Sequence, residues 1–276
     1  MVRSLIAFVT ALTAAVAHPS ATPPSPATAK PLVWEVKWDQ ARCLLMRRTQ
    51  EARPLAFVVA VTPGLPRVEL WLANGPERVN RSQGFQRFDL VTSPGNDPPL
   101  KVALGTEMVP GSRILTMSAG SGFLDRLGRS ASLTIADGQE HIVDFDLAGA
   151  AKAVAALREC EDGILREWGV DPAALAGLRK LPKVVGRPPD ILEGKDYPRE
   201  ALRARATGLL LVRLDVTAAG RVSACAVVRS SGRADLDDRG CELWVRNGRF
   251  EPGLGADGAP SPAKIVSMFV WSLPPH

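Results

Sequence analysis

Residues 222–242 read VSACAVVRSSGRADLDDRGCE, and the reading of this run decides the fold of the last third of the chain. Two cysteines and three aspartates could hold a metal. Zinc, however, favours Cys-x-x-Cys or histidine pairs, and an EF-hand loop wants an acid where Arg239 stands. A strand that ends at Ser230-Ser231-Gly232 and turns into a helix accounts for the whole run without a metal. Asp235 is then the helix cap, Asp238 reaches back three residues on, and Asp237 sets negative charge where the helix dipole is positive. Leu236, Gly240, Leu243 and Trp244 form the buried stripe. Cys225 on the strand and Cys241 on the helix would close a short loop, a clamp worth ~3 kcal/mol on chain entropy.

Outward from that run, residues 208–228, GLLLVRLDVTAAGRVSACAVV, alternate as a hairpin does. Leu210, Val212, Leu214 and Val216 share one face, and Arg213, Asp215 and Thr217 share the other. Ala219-Gly220 makes the turn. Upstream, Tyr197-Pro198 enters a short helix running to Arg205, with Pro198 setting its first turn. Downstream, RFEPG at 249–253 breaks the chain, and AKIVSMFVWSL at 263–273 closes it as a strand. That strand is apolar on both faces: Val266, Met268 and Val270 on one, Ile265, Phe269 and Trp271 on the other. The order is α-β-β-α-β, a three-stranded antiparallel sheet with helices on one face. A strand at the edge of such a sheet leaves backbone groups open to a guest segment. The other reading of the strand packs its second face on the N-terminal domain or on a second copy, as in a homodimer.

These residues resemble the C-terminal domain of the TonB family over about residues 190–274. The pattern is carried by Tyr197, Pro198 and Ala201, by Gly208 and Gly220, by Ser230, Ser231 and Gly232, by Leu236 and Asp237, and by Phe250 and Pro252. The resemblance implies a periplasmic module that binds the short extended segment of an outer-membrane transporter by strand addition. The edge would be Lys264, Ile265, Val266, Ser267, Met268, Phe269 and Val270. It also implies inner-membrane motor proteins as partners where the chain keeps an anchor. TonB-like transducers carry an uncleaved anchor and a long proline-rich spacer; this chain departs from both.

The first seventeen residues, MVRSLIAFVTALTAAVA, have a positive Arg3, an apolar run from Leu5 to Val16 and a small-x-small site at Ala15-Val16-Ala17. The run is shorter than the ~20 residues of a spanning helix. A cleavable signal peptide is expected, with export to the periplasm and a mature start at His18; the alternative is an inner-membrane anchor facing the periplasm. Residues 18–31 are rich in Pro, Ala, Ser and Thr, a tether of about 40 Å at most. Residues 32–180 show short branched and aromatic runs between Pro63-Gly64, Asn74-Gly75, Pro94-Gly95 and Asp137-Gly138. They predict an antiparallel β sandwich or barrel that ends in a helix bearing Leu147, Ala151, Val154 and Leu157. Residues 181–190, with their prolines, read as a linker, and 191–276 as the TonB-like domain. The fold class is α+β.

An exported chain with four cysteines is expected to hold disulfides, and four cysteines allow three pairings. Pairing within domains joins Cys43 to Cys160 and Cys225 to Cys241; the other two pairings stay open. The net charge is +5, with 46% hydrophobic and 23% charged residues. The basic residues are scattered and form no run interleaved with aromatics of the kind that tracks a phosphate backbone, so no nucleic-acid partner is expected. No Gly-x-Ser-x-Gly elbow flanks Ser230 or Ser231, and the three histidines, His18, His141 and His276, stand apart. Asp144 and Asp146 read as a wet strand face. No enzyme activity, cofactor or metal is expected.

Overall fold

Alternating apolar residues become antiparallel strands wherever the computed structural model describes the chain: residues 33–39, 41–48, 55–73, 87–95, 97–103, 105–109, 112–138, 140–186 and 196–273. The segments expected to be a signal peptide and a tether, and the Asn74-Gly75 turn, lie outside the described residues. A six-stranded sheet has the order β1 (Trp34–Trp38), β2 (Cys43–Arg48), β3 (Ala56–Val61), β4 (Arg67–Ala73), β8 (Ser112–Gly120), β7 (Gly105–Val109). A four-stranded sheet has the order β10 (Glu140–Asp146), β9 (Ser132–Asp137), β5 (Arg87–Ser93), β6 (Leu100–Ala103). Helices α1 (Phe123–Arg129) and α2 (Ala150–Glu167) complete this lobe. The inward residues of both sheets and both helices form one core, including Phe57, Leu70, Phe88, Leu133, Phe145 and Leu157.

β2 closes on Arg47 and Arg48, an ending that does not read as a buried strand in the sequence. Arg47 is nonetheless buried. Its guanidinium donates to the Ala148 carbonyl and to Asp146, both at 3.1 Å, and lies 5.0 Å from the centre of the Trp34 ring. Burying a charge requires such partners. Asp144 and Asp146 both stand on the exposed strand face expected for them; Asp146 answers Arg47 from there, and Asp144 accepts from Thr134.

Helix α2 covers the core with Ala150, Ala153, Val154, Leu157 and Leu165. It ends where Gly169 takes φ 74°, the left-handed turn that glycine adopts without a Cβ penalty. A disulfide ties Cys160 on this helix to Cys43 on β2. Beyond α3 (Pro172–Ala176), the stretch expected to be a linker contributes β11 (Lys183–Val184), which pairs with β14 (Phe250–Glu251). Two residues between prolines suffice for one such rung, and Val184 packs against the C-terminal core.

The C-terminal lobe follows: α4 (Arg199–Arg203), β12 (Gly208–Val216), β13 (Val222–Arg229), α5 (Ala234–Asn247), the short β14, β15 (Gly253–Leu254) and β16 (Pro260–Ser261), and β17 (Ala263–Trp271). The sheet order is β13-β12-β17, all antiparallel. Leu210, Val212, Leu214 and Val216 are buried with Leu236, Leu243, Trp244, Phe269 and Trp271 in a second core. Cys225 on β13 is bonded to Cys241 on α5. A third, smaller cluster joins the lobes: Leu165 and Val170 around Val266, with Leu65, Trp168 and Leu175 packed beside them.

Candidate functional site

The chemistry of the Ser-Ser-Gly corner is internal. Asp237 is buried and accepts from the Ser231 amide at 2.8 Å, from the Ser231 hydroxyl at 2.6 Å and from the Ser230 hydroxyl at 2.5 Å. A carboxylate with three donors fixes the strand-to-helix corner. This corrects the expected division of labour among the aspartates. The helix starts after Arg233, which caps it without a side-chain bond. Asp235 lies inside the first turn, where its carboxylate accepts from the Arg233 guanidinium at 2.9 and 2.8 Å and from the Leu236 amide at 3.0 Å. The Arg233 bond holds that carboxyl below the ordinary aspartate range. Asp238 makes no return bond to the helix start among the described residues. Asp237 serves the corner more than the dipole.

The glycines of the same pattern stand where backbones touch. At Gly208 a Cβ would come within 2.4 Å of the Ser231 carbonyl oxygen, and at Gly220, with φ 72°, within 1.9 Å of that of Phe250. Either contact would force the hairpin away from its neighbour. Tyr197 donates its hydroxyl to the Ala206 carbonyl and packs edge-on against Trp271, ring centres 5.0 Å apart. Burial raises its phenol above the usual range. Asp196 pairs with Arg239 and Arg246 on α5, tying the Tyr-Pro entry to that helix.

All seven edge residues named from sequence fall in β17, where they pair in unbroken register with β12, from Lys264 opposite Asp215 to Val270 opposite Leu209. On its other side β17 has no strand partner among the described residues. Phe269 faces the helix-side core, with Ile265 packed partly against it. Val266 is 6% exposed in the interlobe cluster, whereas Met268 and Val270 are 39% and 52% exposed. The second face is thus covered by the N-terminal lobe at Val266 and open further along.

The covering is close. A Cβ on Gly64 would lie 2.9 Å from that of Val266, and one on Gly169 would lie 2.6 Å from Arg213 Nη1. Arg213, which the alternation puts on the helix-free face, spends its guanidinium on Asp215 at 3.1 Å and on the Trp168 carbonyl at 3.3 Å. Beyond Val266 the lobes part around a cavity of about 380 Å³. Its floor is Leu209, Leu211, Met268 and Arg229 on the C-terminal sheet; its roof includes Leu65, Pro66 and Arg67. Sequence reasoning missed this cleft, because its walls are more than a hundred residues apart and neither carries a motif.

Comparison with known families fits this geometry. Residues 193–273 match the family described as the Gram-negative bacterial TonB protein C-terminal, so this part of the chain is a TonB C-terminal domain. The match begins just before Tyr197 and ends just after β17. The family is a non-enzymatic one of the bacterial envelope, whose members interact with outer-membrane transporters. Comparison of the chain with curated proteins gives no match. No described helix is long and apolar enough to cross a membrane.

Proposed function

We propose that this chain is a TonB-like periplasmic protein whose last strand captures an extended segment of an outer-membrane transporter, in TonB-dependent transport. The observation that supports this is the outer side of β17, nine residues long and without a strand partner among the described residues. Met268 and Val270 stand exposed beside it. In strand addition the backbone ladder supplies affinity and alternate side chains supply selectivity. A guest beside Lys264–Val270 would rest alternate side chains against that apolar pair. The reading takes 1–17 as a cleaved export signal, 32–180 as a β-rich domain and 191–276 as the docking domain.

The test is a titration of the full mature chain with peptides copying the N-terminal plug segments of outer-membrane transporters, read by backbone amide shifts. Saturating shifts confined to residues 264–270 and their neighbours on β12 are expected at or below about 1 mM. Silence of those amides at millimolar peptide would sink the reading.

A second reading keeps the docking strand but drops energy transduction, making the protein a free envelope interaction module. It is favoured by the folded β lobe packed on Val266, where the transducers this domain resembles carry a spacer. Mass spectrometry of the mature protein separates the two. A start at His18 supports the free module, and retention of residues 1–17 supports coupling to inner-membrane motor proteins.

A further inference from the structure

The interlobe cleft carries an inference that rests on the strand-addition reading and deepens it. Four charged residues line it, and their engagements differ. The Arg42 guanidinium is held by Asp39 at 2.9 and 2.7 Å and lies 5.0 Å from the centre of the Trp71 ring. Glu69 accepts from the Trp71 ring nitrogen at 3.3 Å and stands 3.9 Å from Arg42. Arg67 on the roof and Arg229 on the floor pair with no carboxylate among the described residues. Between them the lining is apolar, chiefly Leu65, Leu209, Leu211 and Met268. The cleft therefore offers two unanswered guanidinium groups over a greasy floor.

The sheet register says how a guest would reach them. Arg229 pairs with Leu211, and Leu211 with Met268, so the three form one row across the sheet on its helix-free face. The next position along that row, beyond Met268, belongs to the strand a partner would add. At about 4.8 Å per strand, the guest backbone there lies roughly 14 Å from that of Arg229. A long acidic side chain and an extended arginine can close that gap over Leu211 and Met268. Asp and Glu are the natural counterparts of a planar guanidinium fork.

We propose that the cleft reads an acidic side chain, glutamate above all, on the segment docked along β17, with Arg229 and Arg67 as the residues that select it. The partner is then an extended peptide that carries a carboxylate flanked by apolar residues. The N-terminal lobe, through Arg67, is part of the recognition surface rather than a separate unit.

The probe is a set of three seven-residue peptides of alternating Thr and Val, with Glu, Gln or Lys at the centre and both ends blocked. They are titrated against the full mature chain and against the double variant Arg67→Gln, Arg229→Gln. Both arginines are exposed, so the variant is expected to fold, and its thermal midpoint is checked first. In the parent chain the Glu peptide should bind about ten-fold tighter than the Gln peptide, with the Lys peptide weakest. In the variant the Glu and Gln peptides should bind alike, and added salt should shrink the difference in the parent. Three peptides that shift residues 264–270 with equal affinity would overturn the cleft proposal and leave strand addition standing. A Glu preference that survives in the double variant would also overturn it. Failure of all three to perturb β17 would overturn strand addition itself, and the cleft proposal with it.

Discussion

The two lobes use the same device to different ends. Each has a sheet stapled to a helix by one disulfide: Cys43 on β2 to Cys160 on α2, 117 residues apart, and Cys225 on β13 to Cys241 on α5, 16 apart. In the first lobe the stapled sheet shares its core with a second sheet. In the second, helices fill one face only, and the other borrows cover from its neighbour at Val266 before opening at Met268 and Val270. The carboxylates on the two stapled helices differ in the same sense. Asp237 on α5 is answered by two serines. Glu161 on α2 is pushed up to about 7, above all by burial, with Arg158 opposing. The strand-to-helix corner of the small lobe is tightly organised around its carboxylate, whereas α2 of the larger lobe tolerates a poorly answered one.

The widest test of this comparison is to remove the staples. Chain entropy grows with the loop closed, so Cys43→Ala with Cys160→Ala should cost about 4–5 kcal/mol, and Cys225→Ala with Cys241→Ala about 3 kcal/mol. Denaturant unfolding of both variants checks the order, and a larger loss at the shorter loop would break it. Next comes the contrast of carboxylates. Asp237→Ala strands the donors of Ser230 and Ser231 and should cost about 2–3 kcal/mol. Glu161→Gln should stabilise. The folded protein holds the Glu161 proton more tightly than the free residue at 4.5, so its protonated form is favoured. The stability this brings is whole below about pH 4.5 and is lost as pH rises through about 7. The variant should therefore gain up to about 3 kcal/mol near pH 8 and almost nothing near pH 4; unfolding curves at the two pH values sharpen the point. The smallest effect lies on the open strand. Val270→Thr should leave stability within about 0.5 kcal/mol, because that side chain faces water until a guest arrives.

Much of the C-terminal lobe was legible because its signals are local. Alternation in β12, the apolar run of β17, the Gly220 turn and the stripe on α5 each depend on residues a few positions apart, and one covalent clamp fits one short loop. Failures came where the deciding partner is distant. Arg47 looks like the end of a strand until Asp146, Ala148 and Trp34 close around it. Helix α1, seven residues long, is too short to display a period. β11 hides between prolines and acquires its meaning only from Phe250. Asp235 obeys the capping rule in sequence, yet with the corner claimed by Asp237 the helix is capped two residues sooner, at Arg233. Of the candidate site, the strand could be named and its two faces sorted. The cleft could not, since Arg67 and Arg229 meet only through tertiary packing.

Gly64 stands where the two lobes touch. With φ 80° it turns the β3–β4 hairpin, and it admits Val266 where even one methyl group would intrude. The spacing of the two lobes is therefore gauged by a missing side chain, at a point outside both main cores. A lineage could widen the slot beside the last strand by putting a side chain at that one residue, at the cost of strain in the β3–β4 turn, and so retune which guests fit.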